Sequence, residues 1–128
     1  MIVGIGVDIV DISRVERMIA QHGDRVVNRM LTPDEAQYTS TRADRCAAIA
    51  ARLAAKEAAY KALTGTELAR AIGWKDTEVF KNWDGAPSLR FHGRADTRAR
   101  ELGVTRALVS LTHSETAAVA MVVLEREG

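Results

Sequence analysis

Two acidic residues and a lysine have the types and spacing of a metal and phosphate site. Glu57 and Lys61 are four residues apart within RLAAKEAAYKAL (residues 52–63), and Asp8 closes the segment GIGVD (residues 4–8). Two neighbouring carboxylates repel each other unless a proton or a cation stabilises them. Mg²⁺ prefers carboxylate oxygens together with water and phosphate oxygens, and a lysine can face the same phosphate as a point charge. If the acids meet, the three residues predict a Mg²⁺ and phosphate site.

Asp8 belongs to a strand predicted over residues 2–9. Side chains alternate between the two faces of a strand. We expect the first face to belong to the core, and it consists of Val3, Ile5, Val7 and Ile9. The opposite face carries Gly4 and Gly6 and ends in Asp8, so that another backbone or a ligand can approach it closely.

Glu57 belongs to a long helix predicted from about Asp44 to Leu63. The segment is rich in alanine, and Gly65 is suited to its C-terminal cap. Glu57 interrupts an apolar stripe, where an unpaired charge is costly; the other members are Ile49, Leu53 and Tyr60. Small alanines beside the stripe favour close approach of the glycine face, so we expect Asp8 and Glu57 to be neighbours. The alternative is an ordinary surface ion pair between Glu57 and Lys61.

The remaining signals predict helices in the first half of the chain and strands mostly in the second. Capping boxes are predicted at Ser13 with Glu16 and at Thr32 with Glu35, and Gly23 is expected to end the first short helix. Later segments predict strands at 75–81 and 88–92, a short helix between 93 and 103, and a hairpin of 106–112 with 117–125. The whole pattern predicts a single α+β domain over residues 1–128, with an antiparallel sheet packed on the long helix.

The composition argues against several classes of protein. The chain has 128 residues, 47% of them hydrophobic, and a formal net charge of +1, which argues against a disordered chain and against general nucleic-acid binding. A single cysteine, Cys46, cannot form an intrachain disulfide. The apolar start carries Asp8 and Asp11 without a basic leader, so we expect no signal peptide and no membrane span. We expect a soluble, cytoplasmic protein.

Other catalytic motifs have little support in the sequence. The segment that begins at Gly4 starts like a dinucleotide fingerprint but has Ile9 where the third glycine belongs. His113, Ser114 and Glu115 are adjacent in a predicted hairpin tip and cannot readily take the places of a catalytic triad. The chain has no P-loop, HExxH pair or GxSxG elbow.

The sequence resembles the holo-acyl-carrier-protein synthases, the short class of 4′-phosphopantetheinyl transferases. The resemblance covers essentially all 128 residues, and it is based on GIGVDIVDI, RLAAKEAAYKAL, the Asp84–Pro87 turn and SLTHSETAAVAMVVLE. It implies a 4′-phosphopantetheinyl transferase-like fold. It also implies Mg²⁺-dependent transfer of the phosphopantetheine arm of coenzyme A to a serine of apo acyl carrier protein, with release of adenosine 3′,5′-bisphosphate, in fatty acid biosynthesis.

The resemblance assigns roles to residues at matching positions. Asp8 and Glu57 are implied to hold Mg²⁺ against the diphosphate of coenzyme A, and Lys61 is implied to contact those phosphates and to stabilise or protonate the leaving group. The serine proton is expected to pass to Glu57, either directly or through a water on the metal. The residues implied in coenzyme A binding are Arg52, Lys61, Gly85, Pro87, Thr112 and His113.

The resemblance also implies two protein partners. Arg14, with Arg25 and Arg29, matches a basic surface that receives the acidic helix of the carrier protein, although these arginines on their own equally suit a solvated face. Family members of this size are typically homotrimers with active sites between subunits. One departure is the segment 64–68, TGTEL, where a more glycine-rich segment is expected.

Two other classes of protein use some of the same residues. A Mg²⁺-dependent hydrolase of nucleotide pyrophosphates would need the same acids and lysine but no carrier protein. A module without catalytic activity would only bind an acidic protein through the arginines between Arg14 and Arg29. Loss of turnover after replacement of Asp8 or Glu57 separates either enzyme from the module.

Overall fold

A three-stranded antiparallel sheet lies against one long helix in the computed structural model, which describes residues 1–64 and 71–128. In chain order the elements are β1 (Ile2–Asp11), α1 (Ile12–His22), α2 (Asp24–Met30), α3 (Pro33–Ser40), α4 (Arg45–Leu63), a 3-10 turn (Trp74–Asp76), β2 (Thr77–Lys81), β3 (Pro87–Phe91), α5 (Gly93–Leu102), β4 (Arg106–His113) and β5 (Ala117–Glu125). The sheet has the order β1-β5-β4, and β2 pairs with β3 as a separate antiparallel hairpin. The predicted α+β class, with an antiparallel sheet on the alanine-rich helix, is confirmed.

The glycine face of β1 lies directly against α4. A Cβ atom built at Gly6 would overlap the carbonyl oxygen of Ala58, and one built at Gly4 would overlap that of Ala62. The neighbouring strand β5 contributes to the same side of the sheet, with four completely buried residues: Ala118, Ala120, Val122 and Leu124. This close packing places Asp8, the next residue on that face, beside the helix.

The predicted orientation of β1 is wrong for its other face. Ile5, Val7 and Ile9 are 61%, 53% and 63% exposed, although we expected them in the core. The reason is that α4 covers only one side of the sheet and approaches as closely as it does only where β1 has glycine. The more apolar face of β1 is therefore the open one.

The ends of the helices follow some of the sequence signals. The capping box of Thr32 and Glu35 is present, and Gly23 ends α1 with a positive φ of 63°. The capping box at Ser13 is wrong: β1 continues to Asp11 and α1 begins at once with Ile12, without a side-chain cap. Gly65, predicted as the cap of α4, lies outside the described residues, as do residues 66–68 of the unusual segment.

The second half contains the predicted hairpins and helix with small changes in their bounds. The strand expected from residue 75 begins at Thr77, because Trp74–Asp76 form a 3-10 turn. The turn between β2 and β3 contains Gly85 in a conformation with φ 86°, and Gly85 N–H donates to the carbonyl oxygen of Asn82 at 2.9 Å. Within residues 1–64 and 71–128, none of the helices is both long and apolar enough to cross a membrane.

Candidate active site

Asp8, Glu57 and Lys61 meet where β1 crosses α4. Asp8 and Glu57 lie close enough together that each shifts the pKa of the other. Lys61 Nζ lies 2.8 Å from Asp8 Oδ1 and also donates to the carbonyl oxygen of Val7 at 3.2 Å. The expected proximity of the two acids is confirmed. The ion pair of Lys61 is with Asp8 on the neighbouring strand, and not the surface pair with Glu57 that we weighed as the alternative.

Asp8 and Glu57, which we call the acid pair, have shifted pKa values because they lie close together and are partly buried. Burial raises the pKa of Glu57 to about 7, and the contact with Asp8 and its negative charge act in the same direction, against Arg14 and Lys61. Burial alone would raise the pKa of Asp8, but hydrogen bonds from Glu57 and Lys61 hold that pKa below its usual value. Near neutral pH, Glu57 is therefore partly protonated and Asp8 is ionised.

The pair is suited to a divalent cation. Asp8 Oδ2 is buried and has no hydrogen-bond partner, so it is free to bind a cation. No cluster of three or more histidine, cysteine, aspartate or glutamate side chains suited to a metal occurs within residues 1–64 and 71–128. Mg²⁺ usually binds through one or two carboxylates and completes its coordination with water and substrate phosphates. The two acids therefore fit Mg²⁺ bound together with a phosphate ligand better than they fit a structural metal site.

Five residues implied in coenzyme A binding line one open cavity of about 220 Å³. They come from α4, from the turn between β2 and β3, and from the end of β4: Arg52, Gly85, Pro87, Thr112 and His113. The fold thus collects residues that are up to 61 positions apart in sequence. We call this the basic cavity. Lys61, also predicted for coenzyme A binding, lies with Asp8 and not among the residues that line it.

Tyr38 brings three cations together in the basic cavity. The guanidinium carbon atoms of Arg52 and Arg42 lie 4.3 Å and 5.2 Å from the centre of its ring, and Lys81 Nζ lies 5.2 Å from it. Arg42 donates to the Tyr38 hydroxyl at 2.8 Å and is also paired with Asp44. One acid for three cations leaves an excess of positive charge, which suits a phosphate group.

Tyr38, Arg42 and Lys81 were not predicted as site residues. Only the spacing of Tyr38 and Arg42, four positions apart, gave a local signal that they interact. Their place beside Arg52 depends on how α3, α4 and β2 pack, which no local pattern records. Burial lowers the pKa of Arg52, while Tyr38 and Glu35 oppose that effect. Arg52 Nε is also buried and has no hydrogen-bond partner.

The acid pair and the basic cavity are separate within the chain. Glu57 lines a different cavity of about 320 Å³. The other residues around that cavity are Lys56, Tyr60, Ile72, Gly73, Trp74 and Thr77. Neither Asp8 nor Glu57 lines the basic cavity. A ligand that used both sites would have to extend over the surface between them.

The three arginines predicted for partner binding are all exposed. Arg14 on α1 reaches the acid pair, with Nη1 3.9 Å from Glu57 Oε1 and almost half of its side chain exposed. Arg25 and Arg29 lie on α2 and are exposed. The structure therefore places Arg14, but neither Arg25 nor Arg29, in contact with the acid pair.

The sequence and the fold both match those of known proteins. Residues 4–121 match the sequence profile of the 4′-phosphopantetheinyl transferase superfamily. The holo-[acyl-carrier-protein] synthase of Koribacter versatilis is 44% identical over 125 residues, which are 98% of this chain and 99% of that protein. The crystal structure of holo-[acyl-carrier-protein] synthase from Neisseria meningitidis matches with a TM-score of 0.86 at 30% identity, over 98% of this chain and 100% of that one.

A further structure is of interest because of its ligand. The holo-(acyl-carrier-protein) synthase from Bacillus anthracis, in complex with CoA (3′,5′-ADP), matches with a TM-score of 0.78 at 33% identity and covers 99% of each chain. The chain belongs to the 4′-phosphopantetheinyl transferase superfamily. Within it, the relatives named above are holo-acyl-carrier-protein synthases. The family and the enzyme class predicted from the sequence are confirmed.

Proposed function

We propose that the chain transfers the 4′-phosphopantetheine arm of coenzyme A to a serine of apo acyl carrier protein, using Mg²⁺ held by Asp8 and Glu57. The contact between these two carboxylates, one with a buried and unpaired oxygen, is the observation that carries the proposal. The names of the full-length relatives, and a structure with coenzyme A among them, support the choice of substrates. The other product is adenosine 3′,5′-bisphosphate.

The acid pair and Lys61 act on the diphosphate of coenzyme A. When bound, Mg²⁺ supplies positive charge to the diphosphate oxygens, which gain negative charge as the bond to the leaving group breaks. Lys61, with its exposed ammonium group next to Asp8, stabilises the leaving phosphate. Glu57, directly or through a water, is the candidate base for the serine proton, because it is the carboxylate next to Asp8 at the proposed site of transfer.

The basic cavity holds the nucleotide end of coenzyme A. Arg42, Arg52 and Lys81 offer charge for a phosphate, and the turn with Gly85 and Pro87 offers backbone at the cavity wall. A phosphate that binds here is distinct from the diphosphate at the acid pair, since the two sites are separate. Coenzyme A carries both kinds of phosphate group.

The carrier protein docks on the surface next to Arg14. This arginine is exposed and lies 3.9 Å from Glu57, so an acidic helix bound there would bring its serine close to the acid pair. Arg25 and Arg29 extend the positive charge along α2. The binding is expected to weaken with salt, as association steered by charge does.

The working form is a homotrimer with active sites between subunits. The open face of the sheet supports this part of the proposal. Ile5 pairs with Val123 and Val123 with Leu108, so the three side chains form one apolar row across the sheet, and Val7 with Met121 starts a second row. Exposed apolar faces of this kind mark protein interfaces.

The first experiment is the intact mass of purified apo acyl carrier protein after incubation with this protein, coenzyme A and Mg²⁺. We expect a mass gain of one phosphopantetheine arm and none in a control with EDTA. Conversion of coenzyme A without a gain on any carrier would instead identify a pyrophosphate hydrolase. Binding of the carrier without turnover of coenzyme A would identify a binding module, and either result would reject the proposal.

A further inference from the structure

A buried ion pair between Glu35 and Lys56 connects α3 to the middle of α4. Lys56 Nζ lies 2.7 Å from Glu35 Oε1, and only 2% and 0% of the two side chains are exposed. Lys56 also donates to the carbonyl oxygens of Trp74 and Thr77, at the start of the hairpin formed by β2 and β3. The ammonium group therefore has three acceptors from two separate parts of the chain, and none of them is water.

Glu35 holds the same hairpin from the other side. Its Oε2 atom accepts a hydrogen bond from the N–H of Val79 in β2 at 2.8 Å, while Oε1 accepts one from the N–H of Thr32 at 2.9 Å. The preceding residue of β2, Glu78, accepts from the Thr32 hydroxyl at 2.7 Å. The position of β2 relative to α3 and α4 is thus fixed by directional polar contacts.

Apolar packing alone fixes the hairpin poorly. A two-stranded hairpin has little stability of its own. Val79 is the only fully buried apolar residue in β2 and β3. A buried ion pair is a costly way to gain stability, because apolar residues of similar volume are often as stable or more so. Its contribution here is therefore one of geometry, through the hydrogen bonds that only charged and polar groups make.

The hairpin and α4 are two walls of the basic cavity. The hairpin carries Lys81, Gly85 and Pro87, and α4 carries Arg52 one turn before Lys56. We propose that Glu35 and Lys56 are positioning residues, which set the distance between these walls and so determine the affinity for coenzyme A. This inference rests on the proposed assignment of the basic cavity to the nucleotide end of coenzyme A.

The test compares Lys56→Met with the double variant Glu35→Gln/Lys56→Met. Lys56→Met leaves Glu35 buried without its partner, so we expect both a lower melting temperature and a raised KM for coenzyme A. The double variant removes both charges, so we expect it to recover most of the decrease in melting temperature that Lys56→Met causes. Its KM for coenzyme A is nevertheless expected to stay about tenfold above that of the wild type, with kcat within threefold, because methionine cannot donate to Trp74 and Thr77 and the single amide oxygen of glutamine cannot accept from both Val79 and Thr32.

Amide hydrogen exchange measures how firmly the hairpin is held, and it does so without coenzyme A. In the double variant, the amides of β2 and β3 are expected to exchange faster, while those of β1 and β5 stay protected. Lys75→Met is the matched control, because Lys75 is exposed and lies in the 3-10 turn just before the hairpin. It is expected to change neither exchange nor KM.

The possible results distinguish the positioning role of the ion pair from the assignment of the basic cavity to coenzyme A. Normal exchange and normal KM in the double variant would overturn the positioning role and leave the ion pair with stability alone. Faster exchange with a normal KM would reject the assignment of the basic cavity to coenzyme A, while the role of the pair in placing the hairpin would stand. If Lys56→Met does not fold, the double variant decides by itself.

Discussion

Gly6 of β1 lies against the carbonyl oxygen of Ala58 in α4, with no room for a side chain between them. This contact sets the distance at which Asp8, two residues further along β1, meets Glu57 and Lys61. Gly6→Ala is therefore expected to push the strand from the helix. We expect a loss of about 2 kcal/mol or more in the free energy of unfolding, typical of an overfilled core, and a large loss of transfer activity.

Chemical denaturation and the carrier mass assay measure these two effects. Gly73→Ala is the matched control for stability, because its Cβ atom would come no closer than 3.8 Å to another group. A Gly6→Ala protein with normal stability and activity would show that the close approach of β1 to α4 is not needed for the site.

Loss of either carboxylate is expected to remove the metal site. Asp8→Asn and Glu57→Ala should each reduce the transfer rate by orders of magnitude, because Mg²⁺ would retain a single ligand from the protein. Asp11→Asn is the control: Asp11 is exposed at the end of the same strand and caps no helix with its side chain. Near-normal transfer by Glu57→Ala at saturating Mg²⁺ would contradict the assignment of the acid pair.

The acid pair also predicts a dependence of stability on pH. The pKa of Glu57 is about 7 in the folded protein, against an ordinary value of 4.5. The protonated form is thus favoured by folding, so its contribution to stability is complete below about pH 4.5 and is lost as the pH rises through about 7. Without metal, we expect the difference in melting temperature between wild type and Glu57→Gln to change over this range in that direction.

Mg²⁺ should oppose this loss. A cation competes with the proton on Glu57, so the apparent affinity for Mg²⁺ is expected to increase as the pH rises towards and above 7. Thermal shifts with and without Mg²⁺ at pH 5.5 and pH 8 measure the effect. An equal change in melting temperature on adding Mg²⁺ at both pH values would mean that the metal does not displace a proton from Glu57.

The sequence predicted the acid pair because its signals were local. Two glycines on one face of a strand, and a glutamate in an apolar helical stripe, each show a departure from an ordinary element. The same alternation failed to show which face of β1 lies inside. An apolar face of a strand is equally suited to a core and to an interface with another chain, so Ile5, Val7 and Ile9 carry no signal that separates the two.

The cations of the basic cavity show a different limit. Arg52 and the residues at positions 85, 87, 112 and 113 were assigned through the family resemblance. Tyr38 and Lys81 lie on α3 and β2, whose contact depends on the buried polar groups of Glu35 and Lys56. Pairing of groups between distant elements leaves no periodic pattern in the sequence, so these residues became visible only in the structure.

Tyr38 is expected to affect coenzyme A binding and not the chemical step. Tyr38→Leu removes the ring against which Arg52 and Lys81 are placed, and we expect the KM for coenzyme A to rise about tenfold with little change in kcat. Tyr38→Phe keeps the ring and loses the hydroxyl that accepts from Arg42, so its KM should rise less. A larger effect of Tyr38→Phe than of Tyr38→Leu would mean that the hydroxyl, and not the ring, organises the cavity.

Arg14 allows carrier binding to be separated from coenzyme A binding. It is exposed, and its distance of 3.9 Å from Glu57 makes it the predicted arginine nearest to the site of transfer. Arg14→Glu places a negative charge on the surface that is proposed to receive an acidic helix, so we expect the KM for the carrier protein to rise at least tenfold at low salt. The difference in carrier KM between Arg14→Glu and the wild type should decrease as salt is added, because screening weakens both the attraction and the new repulsion.

Arg94→Glu is the control, since it makes the same change of charge at an exposed position of α5 and should leave the carrier KM unchanged. Binding of coenzyme A, measured by calorimetry without carrier, should be the same in all three proteins; equal weakening of carrier and coenzyme A binding by Arg14→Glu would move the docking surface elsewhere.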